Sequence, residues 1–164
     1  MSGKAWKFGD NISTDLIAAG RYAHLRTNLP ELAKHVLEDA RDEFRTGVKE
    51  GDFVVGGRNF GLGSSREHAP TIIKMAGTSC VAAKSFARIF FRNCINIGLP
   101  AVRVDTDRID DGDELELDLA AGVLRDRTKG IELSFPPMPK VMTDILNAGG
   151  LVPYLKKNKG FKLA

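Results

Sequence analysis

Gly56-Gly57-Arg58-Asn59-Phe60-Gly61-Leu62-Gly63-Ser64-Ser65-Arg66-Glu67-His68-Ala69-Pro70 follows an apolar run, Phe53-Val54-Val55. It leads into Ala69, Ile72, Ile73 and Ala76, which recur at i, i+3, i+4, i+7, the period of an amphipathic helix. The order is therefore strand, glycine loop, helix. Four glycines within eight residues let the backbone take positive φ and approach a ligand closely. Ser64 or Ser65 suits the N-cap of the following helix, whose free N–H groups and positive dipole end favour an anion. Arg66 adds a planar, permanently charged fork that fits a carboxylate. The stretch lacks Gly-Lys-Ser/Thr, and its glycines do not follow Gly-x-Gly-x-x-Gly, so neither nucleotide-binding glycine motif applies.

Working outward, Ala5-Trp6-Lys7-Phe8 alternates as a first strand, and Gly9-Asp10-Asn11 stops it. Asp15, in a turn-rich segment, reads as a structural residue. Pro30 to Leu37 is predicted as a helix capped by Asn28, with His35 on its surface. Glu38 to Arg45, charged throughout, is predicted as a solvated connector. Beyond the central helix, Cys80-Val81-Ala82-Ala83 suits a buried strand. Phe86, Ile89, Phe90 and Asn93 suit a helix ended by Gly98 and Pro100, and Ala101-Val102-Arg103-Val104 suits another strand. Phe53 to Val104 thus predicts a parallel βαβαβ core, with the glycine loop at a strand's C-terminal end, where open α/β sheets bind ligands. Glu114 to Leu119, Val123-Leu124 and Ile131 to Leu133 predict additional antiparallel strands of a mixed sheet. The acidic run near Asp110 lacks the ligand pattern of a calcium loop. Met138 to Ala148 predicts a last helix capped by Gly149-Gly150, followed by a short basic tail at about 156–164.

With 164 residues the chain fits one domain, 1–164, and 43% hydrophobic with 27% charged residues describes a globular α/β protein. The net charge of +3 has no basic-aromatic patch behind it, so no nucleic-acid partner is expected. No apolar run is long enough to span a membrane and no signal segment is evident, so the expected setting is cytoplasmic. Cys80 and Cys94 sit on apolar segments without metal-motif spacing and read as buried free thiols. A cubane cluster takes three or four cysteine thiolates, which this chain alone does not provide.

Asn59-Phe60-Gly61-x-Gly63-Ser64-Ser65-Arg66-Glu67-His68-Ala69 resembles the signature of the swivel domain of the aconitase superfamily, and Lys84-Ser85-Phe86-Ala87-Arg88-Ile89 resembles its second block. The similarity spans roughly Trp6 to Tyr154, and the short chain is similar to a free-standing small subunit of the isopropylmalate isomerase or homoaconitase kind. Leu62 departs from the Cys that many relatives carry there. The resemblance implies the swivelling β/β/α fold of the aconitase C-terminal type. It further implies a hydro-lyase that moves a hydroxyl between adjacent carbons by dehydration and rehydration, most commonly 3-isopropylmalate dehydratase in leucine biosynthesis. A homoaconitase or another alkylmalate dehydratase is the alternative, and a silent anion-binding or assembly module is the non-enzymatic one.

By the family's pattern Ser64 would be the base for a carbon-bound proton. Serine is a poor base in water, and the loop's N–H groups and Arg66 would stabilise its alkoxide. Ser65 would hydrogen-bond the substrate and Arg66 would pair with a carboxylate. In the family the loop around His24-Leu25-Arg26-Thr27 covers the substrate. Arg26 and Thr27 would therefore bind it, with Arg26 matching the homoaconitase type because a buried guanidinium facing methyl groups is costly. His24 departs from the aromatic common at its position and reads as solvent-facing. Asn59, Gly61, Gly63, Glu67, His68 and Arg88 would support the loop. No metal ligand is expected in this chain. A [4Fe-4S] cluster would reside on a separate large subunit, in a heterodimer or heterotetramer, acting on a 2-hydroxy di- or tricarboxylate.

Overall fold

Phe53, Val54 and Val55 are all fully buried, as a strand covered on both faces requires. Their alternating side chains serve two cores: Val54 joins one cluster, Phe53 and Val55 another. The computed structural model describes residues 1–64 and 66–160. In chain order these form β1 (Ser2–Lys7), α1 (Thr14–Ile17), a 3₁₀ turn (Gly20–Leu25), α2 (Leu29–Ala33), α3 (Asp42–Gly47), β2 (Phe53–Val55) and α4 (His68–Met75). There follow β3 (Cys80–Ala83), α5 (Arg88–Asn96), β4 (Ala101–Arg103), a 3₁₀ turn (Thr106–Arg108), β5 (Glu114–Asp118), β6 (Val123–Asp126), β7 (Ile131–Ser134), α6 (Lys140–Asn147) and α7 (Leu151–Asn158).

The strands make one mixed seven-stranded sheet in the order β4-β3-β2-β1-β5-β6-β7. The expected parallel core is present, with β2 beside β3 and β3 beside β4, and β1 extends it by pairing parallel to β2. β1 also pairs antiparallel with β5, which starts the meander through β6 to β7. One core packs Val54, Val81 and Ala101 against helical residues Leu32, Phe44, Ile72, Ile73, Phe90 and Cys94. The other packs Phe53, Val55, Ala82 and Val102 against Leu115, Leu117, Leu124 and Leu133 of the meander. Each such large side chain contributes about 1.5–3 kcal/mol by leaving water. Asp52, 6% exposed, locks the start of the core by accepting from Lys4 N (3.0 Å), Trp6 Nε1 (2.9 Å) and Lys49 N (2.9 Å).

Several expectations are corrected. Asn28 does cap α2, accepting from Glu31 N, but the helix stops at Ala33. Leu37 takes a φ of 54° and donates its N–H to Ile17 O at 3.0 Å, which buries adjacent Val36 and Leu37 completely. His35 is not a free surface residue, since its ring stacks on Tyr22 at 3.9 Å. The expected solvated connector holds a carboxylate, Glu38, that is only 10% exposed, and Asp42 to Gly47 form α3. Gly149 and Gly150 cap α6 as expected, donating to Leu146 O and Ile145 O, the paired bonds of a Schellman motif. The basic tail expected from 156 begins instead inside α7. Tyr154 of that helix is 2% exposed, and residues 161–164 lie outside the described residues.

Candidate active site

The glycine loop leaves the C-terminal end of β2 and is held from both sides by backbone hydrogen bonds. On one side Gly56 N reaches Ala82 O (2.8 Å), Lys84 N reaches Gly57 O (2.9 Å), and Phe60 N reaches Ser85 O (3.0 Å). On the other, Gly57 N reaches Gly9 O (3.1 Å), Asn11 N reaches Arg58 O (2.8 Å), Gly61 N reaches Ile12 O (2.7 Å), and Thr14 N reaches Leu62 O (2.8 Å). Side chains complete the bracing. Asp10 Oδ1 accepts from Arg58 N (2.7 Å), Ser85 Oγ from Asn59 N (2.7 Å), and Thr106 Oγ1 donates to Gly56 O (2.7 Å). The loop is thus a fixed platform, although most of it would otherwise leave backbone groups unpaired.

Two glycines are required by this geometry. Gly61 has φ +83°, and an added Cβ would stand 2.1 Å from Phe90 Cγ. Gly63 has φ +116°, and its Cβ would stand 2.8 Å from Thr14 Oγ1. Asn59 also occupies the left-handed region, at φ 58°, which asparagine tolerates better than most residues.

Ser64 emerges exposed above this platform, with its Oγ 3.5 Å from Thr14 Oγ1. Arg66 donates from one terminal nitrogen to Asp15 Oδ1 at 3.0 Å, so the acid read as merely structural is the guanidinium's partner. The expected serine cap is not formed: α4 starts at His68 with Glu67 at the N-cap and no side-chain cap bond, so Ser64 precedes the helix. Ser65 lies outside the described residues.

His68, on the first turn of α4, is half-buried. Partial desolvation, then the charges of Arg66 and Arg26, hold its imidazole below its usual pKa. This brings Arg26 into the electrostatic environment of the loop, from its exposed position at the end of the Gly20–Leu25 turn. His24 and Thr27 are exposed on the same segment, and Glu67 is exposed beside Arg66. Arg88 is exposed and, with Gly61, Gly63, Ser64, Ile89 and Arg92, lines an open concavity of about 460 Å³.

The structure therefore places Ser64 beside Arg88 on one concavity, with Arg66 two residues further along the same loop, while Arg26 and Thr27 stand on the separate segment that follows the Gly20–Leu25 turn. Sequence reasoning missed Thr14 and Arg92. The Ser13-Thr14-Asp15 cluster, whose Ser13 caps α1, and the i, i+4 spacing of Arg88 and Arg92 were the available signals.

Ser64 and Arg66 on such a platform can serve proton transfer next to a bound carboxylate. The arrangement has relatives. Residues 11–107 match the family model described as the aconitase C-terminal domain. The chain is 61% identical over 163 residues to the 3-isopropylmalate dehydratase small subunit 2 of Archaeoglobus fulgidus, covering 99% of each. It is 61% identical over 162 residues to small subunit 1 of the same enzyme from Thermotoga maritima, covering 98% of each. A crystal structure of 3-isopropylmalate dehydratase (leuD) from Methanocaldococcus jannaschii superposes with a TM-score of 0.91 at 46% identity, over 96% of this chain and 94% of that one.

Proposed function

The chain belongs to the aconitase C-terminal domain family, and from that premise we propose that it is the small subunit of a two-chain 3-isopropylmalate dehydratase. The observation that carries this reading is the match at 61% identity over nearly the whole length to chains named as that small subunit. The geometry supports it, because an exposed serine and an arginine already paired with a carboxylate follow directly on the braced segment of the loop.

In this reading the enzyme dehydrates and rehydrates a 2-hydroxy dicarboxylate, shifting the hydroxyl to the adjacent carbon. Ser64 Oγ takes the proton from the carbon next to a carboxylate and later returns it. Arg66 exchanges Asp15 for a substrate carboxylate, so Asp15 holds the guanidinium in place until substrate arrives. Ser65 and Thr27 hydrogen-bond the substrate, and Arg26 meets it from the covering segment. Asn59, Gly61, Gly63, Glu67, His68 and Arg88 keep the loop in shape around Ser64. Desolvation, then the charges of Arg66 and Arg26, hold His68 below its ordinary pKa, which disfavours a further positive charge there.

The residues of this chain do not fit as ligands of an iron–sulfur cluster. Cys80 on β3 and Cys94 on α5 are both fully buried, and burial pushes both thiols well above the ordinary range. Among the described residues no group of three or more His, Cys, Asp or Glu is placed to hold a metal. From the family resemblance and the small-subunit name of its relatives, we assign a [4Fe-4S] cluster, which would accept the hydroxide, to a large subunit in a heterodimer or heterotetramer, with the cytoplasm as the proposed setting. Among the described residues no helix is long and apolar enough to cross a membrane. Mixing the two purified chains anaerobically with 3-isopropylmalate, homocitrate or citrate tests the reading. Turnover of 3-isopropylmalate should need both chains, and preference for homocitrate would move the assignment to a homoaconitase.

A further inference from the structure

Glu38 lies on the connector between α2 and α3, outside the glycine loop, with its side chain only 10% exposed. Its Oε1 accepts from Arg21 at 2.6 Å and from the Tyr22 hydroxyl at 2.7 Å. Its Oε2 lies 3.0 Å from His35 Nδ1 and 3.5 Å from Arg45 Nε. Arg21 also closes on both oxygens of Asp39, each at 2.7 Å, and lies 4.8 Å over the Tyr22 ring. That ring stacks on His35, with the planes 15° apart.

Two of the four partners of Glu38, Arg21 and Tyr22, belong to the Gly20–Leu25 turn, and the residue after that turn is Arg26. The turn has no buried residue of its own, and only Tyr22 and Leu25 reach the main core in part. Leu25 packs apolarly, and the turn's polar anchorage to the body of the protein runs through Arg21 and Tyr22, both of which Glu38 holds. Arg26 is the C-cap of this turn, its N–H bonded to Ala23 O at 3.3 Å, so wherever the turn is held Arg26 is carried with it.

We infer that Glu38 is a positioning residue: it fixes the Gly20–Leu25 turn and so sets where Arg26 presents its charge to the substrate. Apart from Glu38 the cluster is partly open to water, with Arg21 53% exposed, so it adds little net stability, but the bonds converging on one nearly buried carboxylate fix a single geometry. The inference rests on the reading of Ser64, Arg66 and Arg26 as one substrate site.

The test uses the full chain with its large subunit and compares wild type, Glu38→Gln, Glu38→Asp and Tyr22→Phe. Tyr22→Phe removes a single donor at nearly constant volume and remains informative if a Glu38 variant does not fold. Glu38→Gln should raise the KM for 3-isopropylmalate about tenfold, the factor one charge-assisted hydrogen bond commands, and move kcat much less. Amide exchange over residues 20–28 should quicken in the same variant. Glu38→Asp should recover part of both effects, and Tyr22→Phe should shift both in the same direction to a smaller extent. A lower melting temperature with KM and exchange unchanged would leave Glu38 a purely structural residue and overturn the inference. Should the wild-type pair show no turnover, the functional reading fails on its own. Unaltered exchange over 20–28 would then overturn the positioning role separately.

Discussion

Gly61→Ala adds one methyl group at the point where the loop is pressed most closely onto α5. At φ +83° an L-residue carries a left-handed strain of about 1–2 kcal/mol. The new Cβ would also stand 2.1 Å from Phe90 Cγ and 2.5 Å from Phe90 Cβ. Phe90 has little room to yield, being 2% exposed and packed in a three-ring cluster with Phe60 (5.4 Å) and Phe86 (6.3 Å). Overpacking of this kind costs about 1–3 kcal/mol, so the combined loss is about 2–5 kcal/mol. In a domain of this size that corresponds to a fall in Tm on the order of 4–20 °C, measurable by calorimetry. Because Gly61 N is bonded to Ile12 O, the relief open to the chain is to lift the loop, which moves Ser64. A shift near 1 Å costs about 100-fold in rate, so kcat of the reconstituted enzyme should fall by that order even where the variant is fully folded. The double variant Gly61→Ala/Phe90→Leu should regain part of both losses. Wild-type Tm and kcat in Gly61→Ala would refute the claim that the loop is held rigidly against α5.

Asp52→Ala strands three donors, Lys4 N, Trp6 Nε1 and Lys49 N, and should lower the unfolding free energy by about 3–5 kcal/mol in urea titration without changing the slope. Burial would raise the pKa of Glu38, but the hydrogen bonds from Tyr22, His35 and Arg21 outweigh it and hold the carboxyl at about 2, against an ordinary 4.5. The folded pKa is the lower one, so this stabilisation is complete above pH 4.5 and is lost as the pH falls towards 2. The difference in Tm between wild type and Glu38→Gln should therefore shrink across that window, and parallel curves would contradict the assignment. Arg26→Val should shift relative kcat/KM from tricarboxylate towards alkylmalate substrates, and unchanged ratios would remove Arg26 from substrate selection.

The parallel core and the course of the glycine loop between β2 and α4 were legible because their signals are local. Phe53 to Val55, the glycines and the Ala69-Ile72-Ile73-Ala76 stripe lie within one short stretch and dictate strand, loop and helix between them. What stayed hidden depends on distant partners. The role of Asp15 requires knowing that α1 packs against α4 and brings the carboxylate to Arg66, a contact across 51 positions. Glu38 read as solvated because nothing in its neighbours announces Arg21 and Tyr22, which come to it from another element. The expectation that Ser64 or Ser65 caps a helix followed from a sound local rule. The chain instead runs three residues beyond Ser64 before α4 begins, and the Ser64 hydroxyl faces Thr14 Oγ1 rather than a helix N–H. In α7 the apolar stripe Leu151, Tyr154 and Leu155 was overshadowed by the lysines that follow it.

The central claim is that Ser64 moves the substrate's carbon-bound proton. The direct measurement is kcat for 3-isopropylmalate by Ser64→Ala, reconstituted anaerobically with the large subunit, together with its affinity for that subunit and the wild-type control. A positioned general base contributes about 10²–10⁴-fold, so kcat should fall at least 100-fold while subunit affinity and melting temperature stay at wild-type values. Wild-type turnover by Ser64→Ala, or by the large subunit alone, would contradict the account.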